Sequence, residues 1–94
     1  MHVLLAEDDP ATAGFIVQGL SGHGFTTTVA GTGSEALAIG TADAFDVIVL
    51  DRMLPGLEGL DVLRKLRERG IRTPVLVLTA KGGIADRVAG LDAG

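Results

Sequence analysis

Three short apolar runs in this chain are each followed by side chains that can take part in chemistry. The first run is followed by Glu7, Asp8 and Asp9, the second by Asp51 and the third by Thr79. Carboxylates held close together repel one another unless a cation intervenes. Oxygen ligands combined with waters and a phosphate are what Mg²⁺ prefers. If these runs are neighbouring strands, the pattern indicates a carboxylate cluster that binds Mg²⁺, with a hydroxyl beside it.

The elements around these residues predict how they would meet. Apolar spacing, caps and glycines give the order β-α-β-α-β-α-β-α, and short apolar runs alternating with helices are typical of a parallel sheet covered on both faces. The predicted fold is α/β, a doubly wound parallel sheet, and the flavodoxin-like order 2-1-3-4-(5) is one such arrangement. In that order Asp8 and Asp51 face each other across strands about 4.8 Å apart. The strands are predicted at 2–6, 26–30, 46–50 and 74–78, and the helices begin near Pro10 and Ser34, then contain 60–66 and 84–91.

Several polar residues have simpler explanations than chemistry. Asp9 precedes Pro10, which predicts a helix N-cap followed by proline at the first helical position. The spacing of Thr32 and Glu35 predicts a capping box at the second helix. The basic run at 64–69 is interpreted as a solvated helix face, and the two histidines show no metal-ligand spacing.

Composition limits the class of protein. The chain has 94 residues, 47% of them hydrophobic, a formal net charge of −4 and no cysteine. This predicts one small domain and excludes a disulfide scaffold or a thiolate metal site. The negative charge argues against direct nucleic-acid contact by this segment. No apolar run is long enough for a membrane helix and no signal peptide is visible, so we expect a cytoplasmic protein.

The motifs together resemble one family, the receiver domain of bacterial two-component response regulators. The sequence of residues 53–56, Met-Leu-Pro-Gly, is most similar to that of receivers with a winged-helix DNA-binding output domain. The family has a fifth strand and a fifth helix that are absent from this chain, so residues 1–94 are expected to be a receiver domain that is incomplete at its C-terminus. The similar segments are 3–9, 47–59, 74–81 and 91–94.

The resemblance implies a role for each site residue. Asp51 would accept a phosphoryl group from a sensor histidine kinase. Asp8, Asp51 and the backbone carbonyl of Met53 would coordinate Mg²⁺, with Glu7 acting through water. Thr79 would hydrogen-bond the phosphoryl group and act as the switch hydroxyl. The implied function is phosphorelay signalling by a phospho-acceptor that is not an enzyme in its own right, and the output would be transcription regulation by a domain outside this chain.

One departure from the family affects these expectations. The family's cationic ligand is a lysine on the fifth strand, and Lys81 follows the fourth strand directly, so it is not assumed to replace that lysine. We therefore expect phosphorylation of this chain to be slow and poorly coupled to any output. An exposed fourth strand would also favour edge-strand self-association or a homodimer.

Three other functions compete with this one. A flavin-mononucleotide binder of the same fold would need a Ser/Thr-rich loop after the first strand and aromatic rings, and the chain has no Trp or Tyr. A phosphatase or mutase would place a second acid where Met53 stands. A receiver-like interaction module that is never phosphorylated stays open, and binding of beryllofluoride or reaction with acetyl phosphate would distinguish it.

Overall fold

The structure is a computed structural model that describes residues 1–51 and 54–78. Seven elements alternate along this part of the chain, as the sequence predicts. The predicted helix at 84–91 lies outside the described residues. The elements are β1 (His2–Ala6), α1 (Pro10–Ser21), β2 (Thr26–Ala30), α2 (Gly33–Ala42), β3 (Val47–Asp51), α3 (Gly59–Glu68) and β4 (Val75–Leu78).

The four strands form one parallel sheet in the order β2-β1-β3-β4. This confirms the predicted order and makes β1 and β3 neighbours. Their register pairs Val3 with Val47 and Ala6 with Leu50. Since parallel strands end on the same side, the residues that follow Ala6 and Leu50 meet at one edge of the sheet.

The two faces of the sheet are buried to different extents. On the face covered by α2 and α3, Leu4, Ile48 and Leu50 are fully buried together with Val75 and with three residues of α3. The residues at alternate positions point to the other face. There Leu5 is fully buried, whereas Val47, Val49, Leu76 and Leu78 are half-buried. The continuous core therefore lies between the sheet and the α2–α3 pair.

Both predicted helix caps are present. The Asp9 side chain accepts a hydrogen bond from the Thr12 amide at 3.1 Å, and Pro10 occupies the first helical position of α1. The Thr32 hydroxyl accepts from the Glu35 amide at 3.1 Å, which caps α2. These caps fix where each helix starts after its strand.

The basic run on α3 is only partly a solvated face. Arg67 is half-buried, and its guanidinium donates to the carbonyls of Ile71 at 2.9 Å and Thr73 at 2.8 Å. The prediction was wrong for this residue because its side chain reaches the connection to β4 and satisfies backbone carbonyls there. Among the described helices, none is long and apolar enough to cross a membrane.

Removing the α2 cap should lower stability without touching the sheet. Thr32→Ala leaves the Glu35 amide without its side-chain acceptor, and we expect a loss of about 1 kcal/mol in the free energy of unfolding. Urea unfolding followed by far-ultraviolet circular dichroism measures this loss. The control is Ser34→Ala, an exposed residue in the same turn. Equal losses in both variants would show that the cap contributes nothing.

Candidate metal centre

Three carboxylates meet at the carboxyl edge of the sheet. Glu7 and Asp8 directly follow β1, and Asp51 is the last residue of the neighbouring β3. One carboxylate oxygen from each residue can be chosen so that all three lie within 4.8 Å of one another. The predicted convergence of these residues is therefore present. We refer to Glu7, Asp8 and Asp51 as the carboxylate cluster.

Glu7 is the buried member of the cluster. It is 8% exposed, whereas Asp51 is half-buried and Asp8 is exposed. Burial raises the pKa of the Glu7 carboxyl above its ordinary value, and the negative charge of Asp51 raises this pKa further. The backbone N–H of Asp9, which donates to Glu7 at 3.0 Å, acts in the opposite direction. The Glu7 carboxylate is therefore held in a position where its charge is unfavourable.

Coulomb's law gives the scale of the repulsion. Two unit negative charges 4.8 Å apart repel by about 0.9 kcal/mol in bulk water and by about 3.5 kcal/mol at an effective dielectric constant of 20. A cation placed among the three oxygens turns this repulsion into attraction. Mg²⁺ binds oxygen ligands at about 2.1 Å and keeps several waters. A small shift of the side chains, or one bridging water, is therefore enough for all three carboxylates to hold one ion. The donor set therefore fits Mg²⁺.

Asp9 lies beside the cluster and does not belong to it. Its side chain accepts from both the amide and the hydroxyl of Thr12. These hydrogen bonds lower the pKa of the Asp9 carboxyl. The prediction that Asp9 is a helix cap is confirmed by this geometry.

The loop after β3 lies against the start of α2, a contact that the sequence did not predict. The Gly33 amide donates to the carbonyl of Pro55 at 3.3 Å, and Gly33 is buried. Gly56 has a positive φ of 83°, which glycine adopts without strain. The only sequence signal was the capping motif that contains Gly33, and that motif says nothing about which loop packs there.

Two predicted site residues lie outside the described part of the chain. Met53, the expected source of a backbone carbonyl ligand, is the second of the two residues between Asp51 and Leu54 that are not described. Thr79, the expected switch hydroxyl, directly follows the last residue of β4. Their roles stay predictions.

Neutralising Glu7 should stabilise the metal-free protein at neutral pH. A carboxyl whose pKa is raised by folding contributes stability at low pH, and this contribution is lost as the pH rises through its folded pKa. The metal-free wild type should therefore lose stability relative to Glu7→Gln as the pH rises above the ordinary pKa of a glutamate carboxyl. A difference of about 1 kcal/mol at pH 8 corresponds to a rise of about 4–8 °C in the melting temperature.

Thermal unfolding in a chelator, followed by circular dichroism at several pH values, measures this difference. Glu68→Gln, which changes an exposed carboxylate at the end of α3, is the matched control. An advantage of Glu7→Gln that does not grow with pH would contradict the expected repulsion.

Comparison with known proteins identifies the family. Residues 3–94 match the family model described as the response regulator receiver domain. Among curated proteins, the probable transcriptional regulatory protein TcrX of Mycobacterium tuberculosis is 48% identical over 92 residues. That match covers 98% of this chain and 39% of TcrX. The chain thus spans about two fifths of the length of this relative.

Solved structures agree with the sequence comparison. A Francisella response regulator receiver domain, 1452, superimposes with a TM-score of 0.87 at 41% identity, covering 99% of this chain and 77% of that one. The receiver domain of the sensor histidine kinase PA1611 from Pseudomonas aeruginosa, which has a magnesium ion coordinated in its active-site cleft, gives 0.81 at 30% identity, covering 96% and 77%. With its sheet order, its carboxylate edge and these matches, the chain belongs to the response regulator receiver domain family.

Proposed function

We propose that this chain is the phospho-acceptor part of a two-component signalling protein, with Asp51 as the acceptor and Mg²⁺ as the required cation. The observation that carries this proposal is the meeting of Glu7, Asp8 and Asp51 at the carboxyl edge of the sheet. Asp51 differs from the other two because it lies within a strand, as the last residue of β3, whereas Glu7 and Asp8 follow the end of β1. Its backbone is therefore held in the sheet, where Asp51 is paired with Leu78 of β4.

Each residue of the cluster has a separate task in this proposal. Asp8 and Asp51 hold Mg²⁺ directly, Glu7 acts through water, and the carbonyl of Met53 completes the protein ligands. The ion supplies positive charge that offsets the charge of the carboxylates and of the incoming phosphoryl group. The cluster alone carries up to three negative charges within 4.8 Å, so a phosphorylated donor would otherwise be repelled.

The transfer itself is a simple displacement. An Asp51 carboxylate oxygen attacks the phosphorus of a phosphohistidine on a sensor kinase. The new O–P bond forms as the P–N bond breaks, and the imidazole nitrogen leaves with the bonding electron pair, after which it is free to take up a proton. The product is an acyl phosphate on Asp51. Thr79, the next residue in the sequence after β4, is proposed to hydrogen-bond the new phosphoryl oxygens.

The comparisons support the wider role. TcrX is a probable transcriptional regulatory protein, and the PA1611 receiver has magnesium in its cleft. We infer that residues 1–94 form the receiver domain of a response regulator that controls transcription through a further domain. The partners are a sensor histidine kinase and that output domain. The receiver acts as a signalling module whose own carboxylate is the reactant.

Removing one charged ligand should weaken metal binding. Asp8→Asn deletes a carboxylate of the cluster, and we expect the Mg²⁺ dissociation constant to rise at least about tenfold, which is about 1.4 kcal/mol. Amide resonances followed during a Mg²⁺ titration measure it, since the chain has no Trp or Tyr for fluorescence. Asp9→Asn is the matched control because asparagine caps helices as well as aspartate. Unchanged affinity in Asp8→Asn would remove Asp8 from the site.

Asp51 should be the only carboxylate that becomes phosphorylated. With acetyl phosphate and Mg²⁺, the protein should gain one hydroxylamine-sensitive phosphoryl group by intact mass. Asp51→Asn should lower this rate at least about a hundredfold, because an amide is not a nucleophile of this kind. Asp43→Asn, which changes an exposed carboxylate at the far end of α2, should behave as wild type.

The same measurements separate this function from an interaction module without chemistry. Wild-type protein that binds Mg²⁺ but gains no phosphoryl group and does not respond to beryllofluoride would favour the interaction module. A phosphoryl group found on another carboxylate, with Asp51 intact, would overturn the assignment of the acceptor.

A further inference from the structure

The first residue of α2 has no room for a side chain. A Cβ atom at Gly33 would lie 1.9 Å from the carbonyl oxygen of Leu57 and 2.7 Å from both its carbonyl carbon and its Cβ. Two of these three atoms belong to the backbone, so a rotamer change cannot relieve the overlap. Any larger residue at Gly33 must push the loop after β3 away from α2.

That loop is held at three points. Leu54 is buried in the core at 7% exposure, and Leu57 packs against the same core. The carbonyl of Pro55 accepts from the Gly33 amide at 3.3 Å and from the Leu57 amide at 3.0 Å. The second bond closes a three-residue turn around Gly56, whose φ is 83°. The loop therefore has a defined shape, and Gly33 is its contact with α2.

The contact between Gly33 and the loop lies between a segment that leads to Glu7 and a segment that leads to Asp51. On one side, the Glu7 amide donates to the carbonyl of Ala30 at 2.9 Å, and Ala30 is three residues before Gly33. On the other side, only two residues separate Leu54 from Asp51. Consecutive Cα atoms are about 3.8 Å apart, so Leu54 lies at most about 11 Å along the chain from Asp51. Because this connection is short, a displacement of the loop that begins at Leu54 cannot be large without affecting Asp51.

We propose that Gly33 is a positioning residue for the metal site. By lacking a side chain and by donating to Pro55, it holds the loop after β3 against α2 and so keeps Asp51 in place relative to Glu7. This inference rests on the proposed function, because it assumes that the cluster binds Mg²⁺. It assigns to α2, an element that contributes no residue to the cluster, a part in the affinity of the site.

The test compares two Gly→Ala substitutions in one helix. Gly33→Ala forces the backbone overlap beside the loop. At Gly40 a Cβ would lie 3.3 Å from the Cδ2 atoms of Leu4 and Leu66, so Gly40→Ala crowds the ends of flexible side chains in the core. We expect Gly33→Ala to raise the Mg²⁺ dissociation constant at least about fivefold, and Gly40→Ala to change it less than about twofold.

Each variant is titrated with Mg²⁺ by amide NMR at a temperature where its spectrum is that of a folded protein, and its melting temperature is measured in a chelator. A loss of affinity in Gly33→Ala beyond that of an equally destabilised Gly40→Ala supports the proposal. Equal affinities in the two variants overturn it, because Gly33 would then serve stability alone.

A second variant covers the case in which Gly33→Ala does not fold. Leu57→Ala keeps the backbone and Cβ atoms that lie against Gly33 and removes the outer side chain by which the loop packs against the core, so it loosens the loop without adding bulk. It should raise the Mg²⁺ dissociation constant about twofold or more, and unchanged affinity would overturn the proposal. Asp8→Asn distinguishes a failure of the proposed function from a failure of the role proposed for Gly33. If Asp8→Asn, Gly33→Ala and Leu57→Ala all bind Mg²⁺ with wild-type affinity, the proposed function fails. If only Asp8→Asn loses affinity for Mg²⁺, the role of Gly33 alone is rejected.

Discussion

The repulsion among three carboxylates at one edge of the sheet is the constraint on which the site depends. A parallel sheet with β1 beside β3 places the ends of these strands together, and the chain puts Glu7, Asp8 and Asp51 there. Burial makes the charge on Glu7 more costly. The core between the sheet and the α2–α3 pair supplies the stability that keeps these groups close. The metal-free site is therefore a strained arrangement that a cation relaxes.

The scaffold and the site depend on each other through backbone contacts more than through side chains. The Glu7 amide is held by β2 through Ala30, and the loop after Asp51 is held by the amide of Gly33. Glu7 and the loop that follows Asp51 are thus each fixed by a main-chain hydrogen bond with a different neighbour. Such contacts have little freedom to adjust, which suits the proposed Mg²⁺ site because Mg²⁺ demands fixed coordination distances.

Sequence patterns predicted most of the described fold because its signals are local or periodic. The parallel sheet followed from alternating elements and its strand order from the family resemblance, and the caps at Asp9 and Thr32 followed from residue type and spacing. The convergence of Asp8 with Asp51 followed from the sheet order. By contrast, the contact of Gly33 with Leu57 depends on a segment that is distant in the sequence, and the role of Arg67 depends on the path of the backbone just after α3. No hydrophobic or capping pattern specifies either contact, and a missing side chain leaves no signal in the hydrophobic pattern.

The uneven covering of the sheet has a consequence for local unfolding. Ala13 is the one residue of α1 that is buried, whereas α3 buries four. Helices with few buried contacts open at a lower free-energy cost than the core, and their amide hydrogens exchange sooner. Glu7 and Asp8 therefore lie at the boundary between a rigid strand and a more labile helix. A ligand bound by these carboxylates stabilises the closed form by mass action, so occupancy of the site would slow amide exchange in α1.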